Sequence, residues 1–190
     1  MKSEEVVNRQ MAAVCTALTN YEVDFMIVGG YAVFLYGYRR PSMITTYKPE
    51  LKADFDFWYK PSLSNFQKLL KALYELGVDI TELQQIVFDP KKTFLKIPHK
   101  EFHTDFLPVI LGLESFSEAK KNASLAEIEG NKFPVIGYND LILSKLAVNR
   151  TIDKEDIKAL NKIRKQNDGS SSIVEESKTV YKKIKKRSEN

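Results

Sequence analysis

Apolar positions recur at helical spacing near the start of the chain. Val7, Met11, Val14 and Leu18 form one stripe behind Glu4 and Glu5, which predicts a helix from Glu4 to Asn20. The pattern then changes. Glu22 to Val28 is largely apolar after Asp24, as a buried central strand is, and it closes on Gly29-Gly30, with a short helix expected over Tyr31 to Tyr38. Ala53 to Tyr59 alternates and predicts a second strand. Pro61 and Ser62 open a helix that carries Phe66, Leu69, Leu70 and Leu73 on one face and stops at Gly77. Strands are predicted over Phe94 to Ile97 and Phe102 to Ile110, and a short helix over Glu114 to Lys121. A hairpin follows, from Ala123 to Ile128 and Lys132 to Ile136 around Glu129-Gly130-Asn131. Two helices close the body, Tyr138 to Asn149 with Leu141, Lys145 and Val148 on one side, and Ile152 to Lys165. Two stretches resist assignment: 39–52, which holds Pro41 and Pro49, and 78–92, where ITELQQIVF reads as a short helix running into a strand edge.

Composition narrows this only a little. The 190 residues suit one domain, taken as 1–167, with Asp168-Gly169 and three serines linking it to a basic tail through residue 190. That tail, from residue 170, carries six basic residues against three acidic ones, which is most of the net charge of +4. The body is therefore near neutral and shows no strong nucleic-acid footprint. No apolar run approaches the roughly 20 residues of a membrane span, and the start has no secretory pattern. A single cysteine, Cys15, sits in an apolar helical pattern and reads as a small core residue. A cytoplasmic setting is expected.

The chemistry concentrates between Val28 and Phe57. Glycines after a strand let the backbone approach a ligand, and the N–H groups that open a helix favour phosphate. On the second strand, alternation puts Asp54 and Asp56 on one face and Phe55 and Phe57 on the other. Paired carboxylates repel unless a cation lies between them, and hard oxygen ligands suit Mg²⁺. Phosphate-binding glycines beside such a pair point to nucleotide chemistry.

An apolar-Gly-Gly segment, a helix and an apolar-Asp-apolar-Asp-apolar strand resemble the signature of the polymerase-β-like nucleotidyltransferase superfamily. Within it the chain is similar to small bacterial nucleotidyltransferases of the AbiEii toxin-like kind. His103-Thr104-Asp105-Phe106-Leu107 resembles the third-carboxylate strand, and Ile136 to Leu160 resembles the C-terminal helical stretch. The 23 residues between Gly30 and Asp54 exceed the usual spacing, the surplus being Pro41 to Lys52. The resemblance implies an α/β (α+β) nucleotidyltransferase fold, a mixed sheet with helices packed on it and a small helical C-terminal cap. It implies Asp54, Asp56 and Asp105 as catalytic residues and ligands of two Mg²⁺ ions, with Mn²⁺ as the alternative. Gly29, Gly30, Arg40 and Lys145 become the expected nucleotide-binding residues. The implied substrate is an NTP, with an RNA acceptor and an antitoxin protein as candidate partners and no membrane.

Other readings of the same residues compete. Asp24 and Asp89 are the alternative carboxylates. His99 and His103 would suit zinc on a helix, but on one strand four residues span about 13 Å. Arg150, Asp153 and Asp156 fit a structural ion-pair cluster as well as a substrate role, and Trp58 and Tyr59 fit core or cleft wall as well as base stacking. As a whole, the chain is either a nucleotidyltransferase or a non-catalytic nucleotide- or RNA-binding protein that keeps the fold.

Overall fold

The structure, a computed structural model, describes residues 4–40 and 53–168. The expectations for Pro41 to Lys52, and for the tail beyond Asp168, lie outside the described residues. Among the described residues, six α-helices and six strands follow in order: α1 (Glu4–Asn20), β1 (Phe25–Ile27), α2 (Gly29–Leu35), β2 (Ala53–Tyr59), α3 (Leu63–Glu75), β3 (Leu95–Pro98), β4 (Phe102–Leu107), α4 (Phe116–Lys121), β5 (Ser124–Ile128), β6 (Asn131–Val135), α5 (Tyr138–Val148) and α6 (Thr151–Asp168). The strands form one mixed sheet in the order β3-β4-β2-β1-β6-β5. β1 is antiparallel to β2 and parallel to β6, and β2 is parallel to β4.

The aromatic side of the β2 alternation builds the core. Phe57 stacks on Phe106 at 5.2 Å between ring centroids and meets Phe25 edge-on at 5.9 Å, while Phe55 meets Tyr31 of α2 at 5.7 Å. Such pairs add about 0.5–1.5 kcal/mol each beyond area burial. The α1 stripe lies in the same core: Met11, Val14 and Leu18 are fully buried, and the Tyr31 hydroxyl donates to Asn8 at 2.7 Å. On the opposite face, α4 covers Trp58 through an edge-on contact with Phe116. This leaves the Asp54 end of that face uncovered by helix α4.

Several boundaries differ from the sequence pattern for physical reasons. α2 begins at Gly29 rather than Tyr31, because the first helical residues need no intrahelical N–H bond and tolerate glycine. α6 continues to Asp168, three residues past the predicted end and into the stretch expected to begin the linker. Residues 78–92 form only a 3₁₀ turn, Leu83–Gln85, and Val87 is 92% exposed although apolar. β4 stops at Leu107 because Pro108 follows it. Val148 is exposed and does not share the buried side of α5 with Leu141 and Lys145. The β5–β6 hairpin turns through Glu129 and Gly130, both at positive φ, as a two-residue turn matched to strand twist requires. Among the described residues, no helix is long and apolar enough to cross a membrane.

One polar side chain ties the start of β1, the end of β2 and α3 together. Asn65 is buried; it accepts from the Asp24 N–H at 2.7 Å and donates to the carbonyls of Asp24 and Lys60, both at 3.0 Å. Replacing it by alanine strands one donor and two acceptors away from solvent, and each unsatisfied group costs about 1–3 kcal/mol. Asn65→Ala is expected to lower unfolding free energy in urea by about 3 kcal/mol. A loss below about 1 kcal/mol would show that these backbone groups find other partners.

Candidate active site

β2 and β4 run in parallel with Asp54 opposite His103 and Asp56 opposite Asp105. Paired residues on neighbouring strands share a face, so these four side chains stand on the face away from the Phe55–Phe57 core. The alternation read from the sequence therefore holds on both strands. Lys96 of β3 pairs with Asp105 in register, and its ammonium lies 3.5 Å from Asp105 Oδ2. The other oxygen, Oδ1, is buried with no hydrogen-bond partner among the described residues, as is His103 Nδ1. Asp54 is exposed and Asp56 half-buried.

The two glycines are packed against charged side chains. Gly29 has φ +63, and a Cβ there would stand 1.9 Å from Asp56 Oδ2. No larger residue fits, on grounds of both backbone conformation and space. The N–H of Gly30 hydrogen-bonds the Asp56 carboxylate, while the Val28 N–H donates to the Asp56 carbonyl at 2.9 Å. A Cβ on Gly30 would lie 3.0 Å from Arg40 Nη1. Gly29, Gly30, Arg40, Asp56 and Asp105 are thus one constellation. Burial, reinforced by the Asp105 and Asp54 charges and opposed by the Gly30 hydrogen bond and Lys145, pushes the Asp56 carboxyl up to about 6.

Behind this turn lies a buried ion-pair network. Asp156 of α6 is fully buried; it accepts from Arg40 Nε at 2.8 Å, from Arg40 Nη2, and from Lys145 Nζ at 2.7 Å. Lys145 also reaches Asp153 at 3.1 Å, and Arg150 Nε reaches Asp153 at 2.8 Å. Burial alone would raise the Asp153 carboxyl, but the hydrogen bonds and charges of Arg150 and Lys145 outweigh it and hold it at about 2. Lys145 is therefore not solvated on its helix; its ammonium is committed to two carboxylates. The sequence had left Arg150, Asp153 and Asp156 between an ion-pair cluster and a substrate role, and they form the cluster.

The remaining candidates are placed elsewhere. Asp24 lies beyond the Tyr59 end of β2 and sits 3.7 Å from both Lys60 and Lys120. Asp89 receives the Lys91 N–H in a turn. His99 contacts Thr104 Oγ1 at 3.1 Å and stacks on Phe102, in the turn after β3 rather than on a helix with His103. Trp58 and Tyr59 are buried in the core and offer no face to a base; Trp58 Nε1 donates to the Pro108 carbonyl. Arg39 pairs with Glu4 at 2.8 Å.

The donor set suits a hard divalent cation. Three carboxylates share one face, one of them has a buried oxygen with no hydrogen-bond partner among the described residues, and burial together with the Asp105 and Asp54 charges raises Asp56. As the side chains lie, no three His, Cys, Asp or Glu groups among the described residues are gathered closely enough to hold one ion. Asp105 is turned toward Lys96, and Asp56 toward Gly29.

Comparison with known proteins bears on the family and the fold. The model of the family described as "Nucleotidyl transferase of unknown function (DUF2204)" matches residues 7–190, running past Asp168 to the last residue. No curated protein matches in sequence. Among solved structures, the antibiotic-resistance factor ANT(2'')-Ia is similar at TM-score 0.56 and 11% identity, covering 95% of this chain and 91% of its own. The lincosamide antibiotic adenylyltransferase LnuA, solved with lincomycin, gives TM-score 0.54 and 16% identity over 82% of this chain and 96% of its own. TM1012 of Thermotoga maritima, solved as a candidate nucleotidyltransferase, gives TM-score 0.50 and 14% identity over 80% and 89%. The nucleotidyltransferase resemblance and the mixed-sheet fold it implied are borne out.

The state of Asp56 makes stability depend on pH and on cations. Its value in the folded chain is raised from the ordinary 3.8 to about 6, so the folded state favours the protonated carboxyl. That stabilisation is complete below pH 4 and is lost as pH rises toward 6. Above pH 6 the charged group opposes folding by at most about 3 kcal/mol. Asp56→Asn is therefore expected to raise Tm at pH 7.5 in EDTA and to leave it unchanged at pH 3.5. Equal Tm values at pH 7.5 would mean that neither burial nor the neighbouring carboxylates disfavour the charged form of Asp56.

Proposed function

The chain belongs to this nucleotidyl transferase family, and from that premise we propose that it transfers a nucleoside monophosphate from an NTP to a hydroxyl acceptor and releases pyrophosphate. The observation that carries the proposal is the register of Asp56 with Asp105 beside the Gly29-Gly30 turn. It brings anion-facing backbone, a guanidinium and three carboxylates to one edge of the sheet.

Asp54, Asp56 and Asp105 would hold Mg²⁺, or Mn²⁺ in its place, with the carboxylates drawn together from their present positions. Bound there, divalent cations neutralise triphosphate charge and lower the pKa of the acceptor hydroxyl. The chain's own residues do the rest. Arg40 faces the triphosphate across Gly30. Asp105 takes the proton from the acceptor hydroxyl, the acceptor oxygen bonds to the α-phosphorus, and the bond from that phosphorus to the pyrophosphate oxygen breaks. Lys145, held by Asp153 and Asp156, contributes positive charge through the protein rather than by contact. Catalysis of this kind is mostly positioning and electrostatics.

Two acceptor classes have support. RNA is favoured by Lys154, Lys158, Lys162 and Lys165, which recur along one side of α6 and line a groove of about 610 Å³ whose floor includes Leu146 and Ile157. None of the four makes an ion pair among the described residues, and free lysines supply salt-dependent phosphate affinity. With RNA as acceptor, the AbiEii-like segments fit a toxin-type enzyme with an antitoxin protein as partner, working in the cytoplasm. A small-molecule hydroxyl is favoured by the fold neighbours, since the named function of LnuA is adenylyl transfer to a lincosamide antibiotic. A non-catalytic binding role is disfavoured because all three carboxylates are present and aligned.

The test is incubation with each α-labelled NTP and Mg²⁺ over total RNA or a pool of hydroxylated small molecules. Label is expected in one pool, and label in neither would leave the non-catalytic role standing. Asp105→Asn keeps the side chain's shape but removes the proton acceptor, so transfer should fall by ~10²–10⁴ while NTP affinity changes less than threefold. Transfer by Asp105→Asn at the wild-type rate would remove Asp105 from the mechanism.

A further inference from the structure

We infer that Asp156 is a positioning residue for the nucleotide's triphosphate: it grips one edge of the Arg40 guanidinium so that the Nη1 corner is held over Gly30. The inference rests on the NTP-dependent reading above and adds a residue to it that touches no substrate.

A carboxylate removed from water costs several kcal/mol unless it is paired and fully hydrogen-bonded, and well-packed apolar groups usually do as well or better. Asp156 is 0% exposed and satisfies that condition in a particular way. Both oxygens are occupied, by Arg40 Nε and Nη2 as a fork and by Lys145. Arginine's fork is planar and rigid, so a bidentate partner fixes the orientation of the whole group. With Nε and Nη2 engaged, Nη1 is turned toward Gly30, 3.0 Å from where a Cβ would stand. A Cβ there would crowd that corner and push Nη1 aside by a few tenths of an ångström.

Charge supports the same role. Arg40, Lys145 and Arg150 face Asp153 and Asp156 in one network, which leaves one net positive charge next to the aspartate-bearing face. Lys145, itself held by Asp153, supplies positive charge to the buried Asp156 carboxylate from behind. Arg40 then meets an anion in an orientation fixed beforehand, without the entropy loss of ordering a long side chain on binding.

The experiment compares wild type, Asp156→Asn, Asp156→Glu, Arg40→Met and the Arg40→Met/Asp156→Glu double variant, by NTP and nucleoside binding with Mg²⁺ and by kcat and KM. Asp156→Glu keeps the charge that a purely structural role needs and moves the carboxylate by one methylene. It is expected to weaken NTP binding and raise KM about tenfold, with kcat within twofold and nucleoside affinity unchanged. The double variant should bind NTP no more weakly than Arg40→Met alone, because Asp156 acts through Arg40. If Asp156→Asn fails to fold, the glutamate variant decides. Wild-type NTP affinity in a folded Asp156→Glu protein, or additive losses in the double variant, would overturn the inference. If wild type itself binds no NTP, the transferase reading falls first and takes this one with it.

Discussion

The contact between the Asp56 carboxylate and the backbone of Gly29 is the constraint around which the site is built. A side chain at position 29 would overlap Asp56 Oδ2, and the φ of +63 there excludes most residues in any case. The contact fixes the edge of β2 against the start of α2, and hydrogen bonds from Val28 to the Asp56 carbonyl and from Gly30 to its side chain complete it. Once Asp56 is fixed, the parallel pairing with β4 dictates that Asp105 stands beside it, and the antiparallel β3 dictates that Lys96 stands beside Asp105. A one-residue slip between β2 and β4 would turn Asp105 into the core and Phe106 out of it. The Phe57–Phe106 stack therefore protects the geometry of the carboxylates although it lies on the other face.

The opposing charges are kept apart by depth. The carboxylates on β2 and β4 are exposed or half-buried and mutually repulsive, with Asp56 raised by burial and by its charged neighbours. The carboxylates on α6 are deeply buried and saturated with cationic partners. The first group is unsatisfied and so able to take a cation; the second is satisfied and so able only to hold other side chains in place. Gly30 lies between them, its N–H on Asp56 and its open side on Arg40, so the chain passes from the one regime to the other within a single residue.

Much of this was legible in the sequence where the signal was local. The α1 stripe, the β2 alternation, the hairpin turn and the glycine pair each depend on neighbours within a few residues, and each appears where the pattern put it. The illegible parts depend on distant partners or on exposed apolar groups. Arg40 and Asp156 are 116 residues apart, and nothing near either one announces the other. Lys145 is expected at the nucleotide, and nothing near it in sequence shows that α6 brings Asp153 and Asp156 onto its ammonium. Ile86 and Val87 look like a strand edge because apolar residues are usually buried, yet both are exposed. Tyr59 alternates into the core, and Trp58, on the same face as the aspartates, is packed under Phe116 of α4, so neither lines the cleft.

Strand direction explains why residues so scattered along the chain meet at one edge. β1 and β6 run in parallel, and both end at the same side of the sheet, where Gly29 follows β1 and Gly137 follows β6; the Ile136 N–H donating to the Ile27 carbonyl marks the shared edge. β2 is antiparallel to β1, and β4 is parallel to β2, so that edge receives the beginnings of β2 and β4, where Asp54, Asp56, His103 and Asp105 lie. The α5 helix leaves the edge at Gly137 and carries Lys145 down one side; α6 then returns antiparallel to it and delivers Asp153 and Asp156 to the back of Arg40. No single stretch could supply both an open set of carboxylates and a buried cationic brace, because the two need opposite solvation. The mixed sheet supplies both by ending two strands and starting two others at the same edge, and by closing that edge from behind with a helical hairpin.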